Sequence, residues 1–182
     1  MRRDDDDLWV FGYGSLMWKP GFAFAERRMA RLQGWRRSFC LRSITYRGTP
    51  EAPGLVLGLD RDPHGGCDGV AFRVAAHAAA DVLSYLRARE LVTYAYREAL
   101  LPVRLDDGAE VPALAYVVDP AHPQYAGGLP MDEQAAVIAR AVGPMGPNRE
   151  YLWNTTAHLR ELGVTDPDLA ALEAQVRGLT GT

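Results

Sequence analysis

At 182 residues, 48 % hydrophobic and 24 % charged, the chain fits one soluble domain that buries roughly two thirds of its unfolded surface. A net charge of −3 leaves no cationic surplus to neutralise phosphates, which argues against a nucleic-acid surface. Cys40 and Cys67 stand alone, without metal-ligand spacing or a disulfide framework, so a reducing, cytoplasmic setting is expected.

Residues 1–7 carry an acidic run without the apolar centre of a signal peptide, and read as a disordered tail ahead of a single domain over 8–182. No apolar stretch approaches the ~20 residues of a membrane span. The run Trp9-Val10-Phe11-Gly12-Tyr13-Gly14-Ser15-Leu16-Met17-Trp18 predicts a strand ending in a tight loop, where Gly12 and Gly14 let the backbone bend or come close to a ligand. Met17 stands where a dinucleotide fingerprint needs its third glycine. Gly14 directly precedes Ser15, where a nucleophile elbow needs an intervening residue. Two readings stay open: a loop offering backbone N–H groups to an anion or carbonyl oxygen, and an ordinary strand-to-turn junction.

Residues 31–43 read as one or two strands anchored by Leu32, Trp35, Phe39 and Leu41, and 45–53 as a loop rich in Gly, Pro and charge. Arg27, Arg28, Arg31, Arg36, Arg37, Arg42 and Arg47 recur at strand-like spacing and read as a solvated face. Short apolar strands are expected over 54–60 and 69–74, joined by a turn at Asp62-Pro63-His64-Gly65-Gly66. Residues 76–90 are helical, and 94–105 and 111–118 form a hairpin around Asp107-Gly108. A loop over 120–130 precedes helices over 131–142, 148–162 and 167–178, the first two separated by 143–147. Leu169, Leu172 and Val176 fall near one face of the last helix. Strands first and helices later indicate an α+β fold with a strongly bent or closed sheet.

In the 76–90 helix, Ala79, Val82, Leu83 and Leu86 form the apolar stripe, and continuing it by four residues lands on Glu90, while Arg87 and Arg89 point elsewhere. A carboxylate on a core-facing stripe is costly to bury unless paired, and burial raises its pKa, which suits a proton acceptor. The alternative is a helix that frays before Glu90, leaving the side chain in water or against an arginine.

Several stretches match one family. Val10-Phe11-Gly12-Tyr13-Gly14-Ser15-Leu16 followed by Met17-Trp18 resembles the amino-terminal signature of the ChaC-like γ-glutamylcyclotransferases, with Trp18 typical of the glutathione-degrading branch. Tyr85-Leu86-Arg87-Ala88-Arg89-Glu90 resembles the family's Tyr-Leu-x-x-Arg-Glu stretch, and Arg47-Gly48-Thr49-Pro50 its Arg-Gly-x-Pro loop. Tyr116 matches a family tyrosine, and residues 143–152 match Gly-Pro-x-Gly-x-Asn-x-x-Tyr-Leu. Leu91-Val92-Thr93-Tyr94-Ala95-Tyr96 departs from the Gly-Gly-Tyr that many relatives carry there.

The resemblance implies a single-domain α+β fold with a small mixed β-barrel flanked by helices. It implies cleavage of a γ-glutamyl amide by the substrate's own α-amino group, giving 5-oxoproline and, from glutathione, Cys-Gly, with no metal or organic cofactor. Glu90 takes the catalytic acid/base role. Val10, Phe11, Gly12, Tyr13, Gly14, Ser15 and Leu16 become the substrate-binding loop, and Tyr116 and Tyr151 serve either the site or the core. The expected partner is a small γ-glutamyl molecule, with no nucleic acid and no membrane, and the oligomeric state stays open. Another γ-glutamyl amide as substrate, or a non-catalytic binding or regulatory role on the same fold, remains an alternative. A hydrolase using Ser15 ranks last because the elbow spacing is wrong.

Overall fold

The apolar run near the amino terminus forms strand β1 (Leu8–Gly12), which ends where the alternating glycines begin. The structure, a computed structural model, describes residues 6–93 and 95–182. Of the expected 1–7 tail, residues 1–5 lie outside that range, as does Tyr94 at the start of the expected 94–105 strand. Asp7 accepts hydrogen bonds from the Arg73 guanidinium (2.7 Å) and from the Ala76 N–H (3.0 Å). The chain divides into two compact units, one of Met1–Arg37 with Leu59–Asp119 and one of Ser38–Gly58 with Pro120–Thr182.

The first unit is built on a closed barrel with strand order β1-β3-β2-β4-β5. β2 spans Glu26–Ser43, β3 Gly54–Val74, β4 Tyr96–Leu105 and β5 Glu110–Val118, so β2 and β3 supply residues to both units. β1 runs antiparallel to β3, from Leu8↔Val74 to Gly12↔Val70, and parallel to β5 through Trp9↔Ala113 and Val10↔Leu114, which makes the barrel mixed. β4 and β5 form the expected hairpin, with Gly108 at φ 86°, a left-handed conformation that glycine adopts without steric cost. A 3₁₀ turn (Ala76–Ala78) leads into helix α1 (Ala79–Glu90). Its buried Ala79, Val82 and Leu86 pack in one cluster with Leu8, Val10, Leu16, Val74, Leu114 and Tyr116. The strand end, the loop after it, the helix and β5 thus share a single apolar core.

Two expectations about strands are corrected. The segments 54–60 and 69–74 are not separate strands around a turn at 62–66: β3 runs unbroken for 21 residues. The turn-prone stretch is held extended beside β2, where the Arg61 guanidinium sits 5.1 Å over the Trp35 ring and Arg31 pairs with Asp68 at 2.8 Å. Pro63 lies in its exposed part, where a strand tolerates a residue lacking an N–H. β2 likewise starts at Glu26 rather than residue 31. At that end Arg28 pairs with Glu26 (3.0 Å), Asp107 (3.0 Å) and Asp106, acidic partners supplied by its own strand and by the hairpin turn.

In the second unit, helix α2 (Met131–Arg140) leads into a two-residue ladder, β6 (Val142–Gly143) with β7 (Gly146–Pro147), followed by α3 (Asn148–Glu161) and α4 (Pro167–Thr180). The expected 131–142 helix stops at Arg140 because Ala141 turns extended (φ −68°, ψ 138°) and its carbonyl accepts from the Asn148 N–H at 2.9 Å. Asp166 precedes α4 and its side chain accepts from the Leu169 N–H at 3.1 Å, and the helix buries Leu169, Leu172 and Val176 as expected. Buried Glu173 of α4 is held by Arg160 and, at 2.8 Å, by Arg177. No helix among the described residues is long and apolar enough to cross a membrane.

Candidate active site

The loop after β1 is shaped by close main-chain approach. A Cβ on Gly12 would lie 3.1 Å from Leu16 Cβ and 3.3 Å from the Met17 nitrogen, so the lack of a side chain lets the chain fold back over the strand end. Beyond Gly14 the backbone winds into a 3₁₀ turn (Ser15–Met17), with the Met17 N–H donating to the Gly14 carbonyl (2.9 Å) and the Lys19 N–H to the Ser15 carbonyl (2.8 Å). The first N–H groups of any helical turn lack partners within it, which makes them ready donors to an anion.

The expected loop residues divide by what they present. Val10 and Phe11 are wholly buried, and Gly12, Tyr13 and Leu16 are buried as well. Val10 and Leu16 belong to the apolar cluster that also holds α1. Only Gly14, half-buried, and Ser15, exposed, bring the loop to the surface. What it offers outward is therefore main chain and one hydroxyl rather than apolar side chains.

Glu90 closes α1 with its side chain 18 % exposed. Burial raises its carboxyl above the ordinary carboxylate range, against the opposing charge of Arg89. The Arg89 guanidinium is 3.2 Å from Glu90 Oε1. It also donates to Ser15 Oγ (2.9 Å), the Lys19 carbonyl (2.7 Å), the Pro20 carbonyl (3.1 Å) and the Tyr85 hydroxyl (3.1 Å). Arg89 therefore does not point elsewhere: it joins the end of the helix to the loop. The sequence signal was there, in its place beside Glu90 in Tyr85-Leu86-Arg87-Ala88-Arg89-Glu90, but helical periodicity assigns it to another face.

Tyr116 is buried in β5 and its hydroxyl donates to Glu98 Oε2 at 3.0 Å. Burial pushes the Tyr116 hydroxyl pKa far up, reinforced by the hydrogen bond to Glu98 and by the charges of Glu98 and Glu90. Tyr116 packs in the same apolar cluster as Leu86 of α1. Arg87 of α1 donates to both Glu98 carboxylate oxygens (3.1 and 2.9 Å), and with Tyr116 it holds Glu98 low. Sequence reading missed Glu98: counting outward from a two-residue turn at Asp107-Gly108 sets it opposite Val117, whereas the Leu105 N–H donates to the Ala109 carbonyl at 2.8 Å, and that register brings Glu98 opposite Tyr116.

Tyr151 belongs to the second unit. Its hydroxyl accepts from the Leu57 N–H at 3.3 Å, Phe39 meets its ring edge-on at 5.7 Å, and Arg47 sits 5.7 Å over the ring. Arg47 also donates to the Pro147 carbonyl at 3.3 Å, tying the Arg47-Gly48-Thr49-Pro50 loop to the 143–152 stretch. The first unit alone thus assembles a largely buried carboxylate of raised pKa, a loop that reaches the surface at Gly14 and Ser15, and the Tyr116–Glu98–Arg87 network. Ser15 Oγ faces a guanidinium, a pure donor that cannot take a proton, so that contact does not activate a nucleophile.

Comparison with known proteins finds one family over most of the chain. The family model described as ChaC-like protein covers residues 8–179. The chain is 39 % identical over 178 residues to the glutathione-specific gamma-glutamylcyclotransferase of Escherichia coli strain K12, spanning 98 % of this chain and 76 % of that protein. It is 36 % identical over 178 residues to glutathione-specific gamma-glutamylcyclotransferase 1 of Homo sapiens, spanning 93 % and 80 %. Its fold superposes on the crystal structure of the gamma-glutamyl cyclotransferase specific to glutathione from yeast with a TM-score of 0.82 at 27 % identity, covering 94 % of this chain and 96 % of that one.

Proposed function

The chain belongs to the ChaC-like family, and from that premise we propose that it is a glutathione-specific γ-glutamylcyclotransferase with Glu90 as its proton carrier. It converts glutathione to 5-oxoproline and Cys-Gly. The substrate's α-nitrogen bonds to its own γ-carbonyl carbon, and the bond from that carbon to the cysteine nitrogen breaks. Ring closure is intramolecular, and well-oriented reactions of this kind reach effective molarities of about 10⁵–10⁸ M, so the protein's work is to hold the ring-closing conformer, move a proton and stabilise an oxyanion.

The α-amino group arrives as an ammonium and must lose a proton before it can attack. Glu90 is the base, and its raised pKa brings it closer to that of the ammonium, which eases the transfer. The same carboxyl then delivers a proton to the departing cysteine nitrogen. Acid–base catalysis of this kind contributes about 10²–10⁴-fold. The N–H groups of Gly14, Ser15 and Leu16 receive the oxygen of the γ-carbonyl as it becomes negative, each donor in such a cradle contributing about 10²–10³-fold. Tyr116 and Arg87 both donate to Glu98, which ties β4 and β5 to the helix that carries the base.

The observation that carries this reading is the Arg89 bridge from Glu90 to Ser15, which puts a proton acceptor and a donor loop at one place. The test is 5-oxoproline release from glutathione, γ-Glu-Cys and γ-Glu-Ala assayed side by side, with and without chelator. Fast, chelator-insensitive release from glutathione alone supports the proposal. Preference for another donor reassigns the substrate, free glutamate indicates hydrolysis, and no product with retained binding indicates a non-catalytic protein.

A further inference from the structure

Arg37 breaks the expectation of a solvated arginine face: it is only 4 % exposed. A buried guanidinium is costly unless its donors are used, and this one directs two of its nitrogens to main-chain carbonyls. Its Nε donates to the Tyr13 carbonyl and its Nη2 to the Asp68 carbonyl, both at 2.5 Å. The positions of those two carbonyls are informative. The ladder between β1 and β3 ends at Gly12↔Val70, and Tyr13 and Asp68 lie just beyond it, where the strands part and the loop leaves the sheet. Arg37 stands in for the missing strand partner.

A planar trans peptide points its C=O and the next residue's N–H in opposite directions. Three consecutive peptides of the loop have their carbonyls engaged: Tyr13 by Arg37, Gly14 by the Met17 N–H and Ser15 by the Lys19 N–H. Their partner N–H groups, on Gly14, Ser15 and Leu16, are thereby set on the opposite sides. The second and third locks are local main-chain bonds that form whenever the 3₁₀ turn forms. The first depends on a side chain from a distant strand. Because Arg37 is on the buried side and Gly14 opens to the surface, the Gly14 N–H faces outward, away from the core.

We propose that Arg37 is the positioning residue of the oxyanion cradle, holding the Tyr13–Gly14 peptide so that the Gly14 N–H meets the γ-carbonyl oxygen of the substrate. The inference rests on the reading above, in which the loop N–H groups bind that oxygen. Without Arg37 the Tyr13 carbonyl loses the hydrogen bond that orients it on the buried side. The peptide can then rotate, exchanging an N–H for a carbonyl oxygen at the point where negative charge develops. Substrate binding in the ground state changes little, since the uncharged carbonyl gains less from that donor than the oxyanion does.

The test uses the full chain carrying Arg37→Met and Arg37→Lys, with three readouts. These are kcat and KM for glutathione, the melting temperature, and the Gly14 amide resonance in glycine-¹⁵N-labelled protein, assigned by its loss in Gly14→Ala. For Arg37→Met the expected result is a kcat lower by about 10- to 100-fold, short of the ~10²–10³ for outright loss of a donor, with KM changed less than about threefold. The Gly14 resonance moves with it. Arg37→Lys, which keeps the charge but lacks the planar fork, falls between wild type and Arg37→Met in both kcat and resonance. It carries the test alone if the methionine variant does not fold. An unmoved Gly14 resonance with wild-type kcat overturns the role of Arg37 and leaves the loop reading standing. A moved resonance with wild-type kcat overturns the loop reading itself, and this inference with it. A kcat that falls only in step with the melting temperature, with Gly14 unmoved, makes Arg37 a structural residue and overturns the proposal.

Discussion

Burial raises the Glu90 carboxyl while the Arg89 guanidinium, 3.2 Å away, works in the opposite direction. Both partners therefore leave a signature in pH profiles. Glu90→Gln keeps the shape of the side chain but cannot accept a proton, so kcat falls by about 10²–10⁴ with KM little changed, measured by 5-oxoproline release. The same substitution does not lower the melting temperature at neutral pH. A carboxyl whose folded pKa lies above its unfolded value binds more protons folded than unfolded between the two, so its contribution to stability falls as pH rises through that window. Above that window the buried charge of Glu90 costs stability that glutamine does not. Arg89→Met removes the charge that favours ionised Glu90, so the acidic limb of the kcat/KM profile moves to higher pH. A limb that stays in place shows that another group controls it.

At the scale of elements, the loop and the ladder of the second unit each depend on main-chain geometry. If the loop works through backbone N–H groups, Ser15→Ala lowers activity only moderately, whereas Gly14→Val, which puts a branched side chain on the one half-buried residue opening to the surface, abolishes it. A Ser15→Ala protein as inactive as Glu90→Gln, with a trapped adduct on Ser15, returns the hydroxyl to the role of nucleophile. In the second unit, buried Asn148 takes the Leu55 N–H at 2.7 Å and donates to the Leu55 carbonyl at 2.8 Å. Asn148→Ala leaves two buried main-chain groups unpaired and costs about 2–5 kcal/mol in chemical denaturation. A loss below about 0.5 kcal/mol shows that water or relaxation replaces both bonds.

For the whole molecule, acid stability follows from the balance of carboxylates. Asp7, Glu26, Glu98, Asp107 and Glu173 sit below their ordinary range, and among the described carboxylates displaced from that range Glu90 alone sits above it. Glu173 is the most enclosed of the lowered group, its side chain 5 % exposed. Burial pushes it up, and hydrogen bonds from Arg177 and Thr156 with the charges of Arg160 and Arg177 overcome that push. A carboxyl lowered in the folded state binds fewer protons folded than unfolded. Its stabilisation is present above the unfolded value near 4.5 and is lost as pH falls through the folded one. Glu173→Gln therefore lowers the melting temperature at neutral pH and flattens its decline below pH about 4.5. An acid limb of unchanged steepness assigns the decline to the exposed pairs.

Much of this was legible in the chain alone because it depends on local rules. The glycine-terminated strand, the hairpin at Asp107-Gly108, the helices and the α+β class follow from residue periodicity and turn chemistry, and the motif around Glu90 singles out the carboxylate proposed above as the base. The turn expected at 62–66 failed because β2 holds that stretch extended through Trp35 and Arg31, partners that local propensity does not include. Arg37 and Arg89 were misplaced for the same reason: periodicity assigns a face, but a long side chain reaches whichever acceptor the fold brings near. The sequence by itself determined which groups are present and the order in which the elements form. Only the tertiary structure decided that Arg37 holds the Tyr13 carbonyl and that Arg89 bridges Ser15 to Glu90, because each contact joins residues far apart in the chain that local propensity cannot pair.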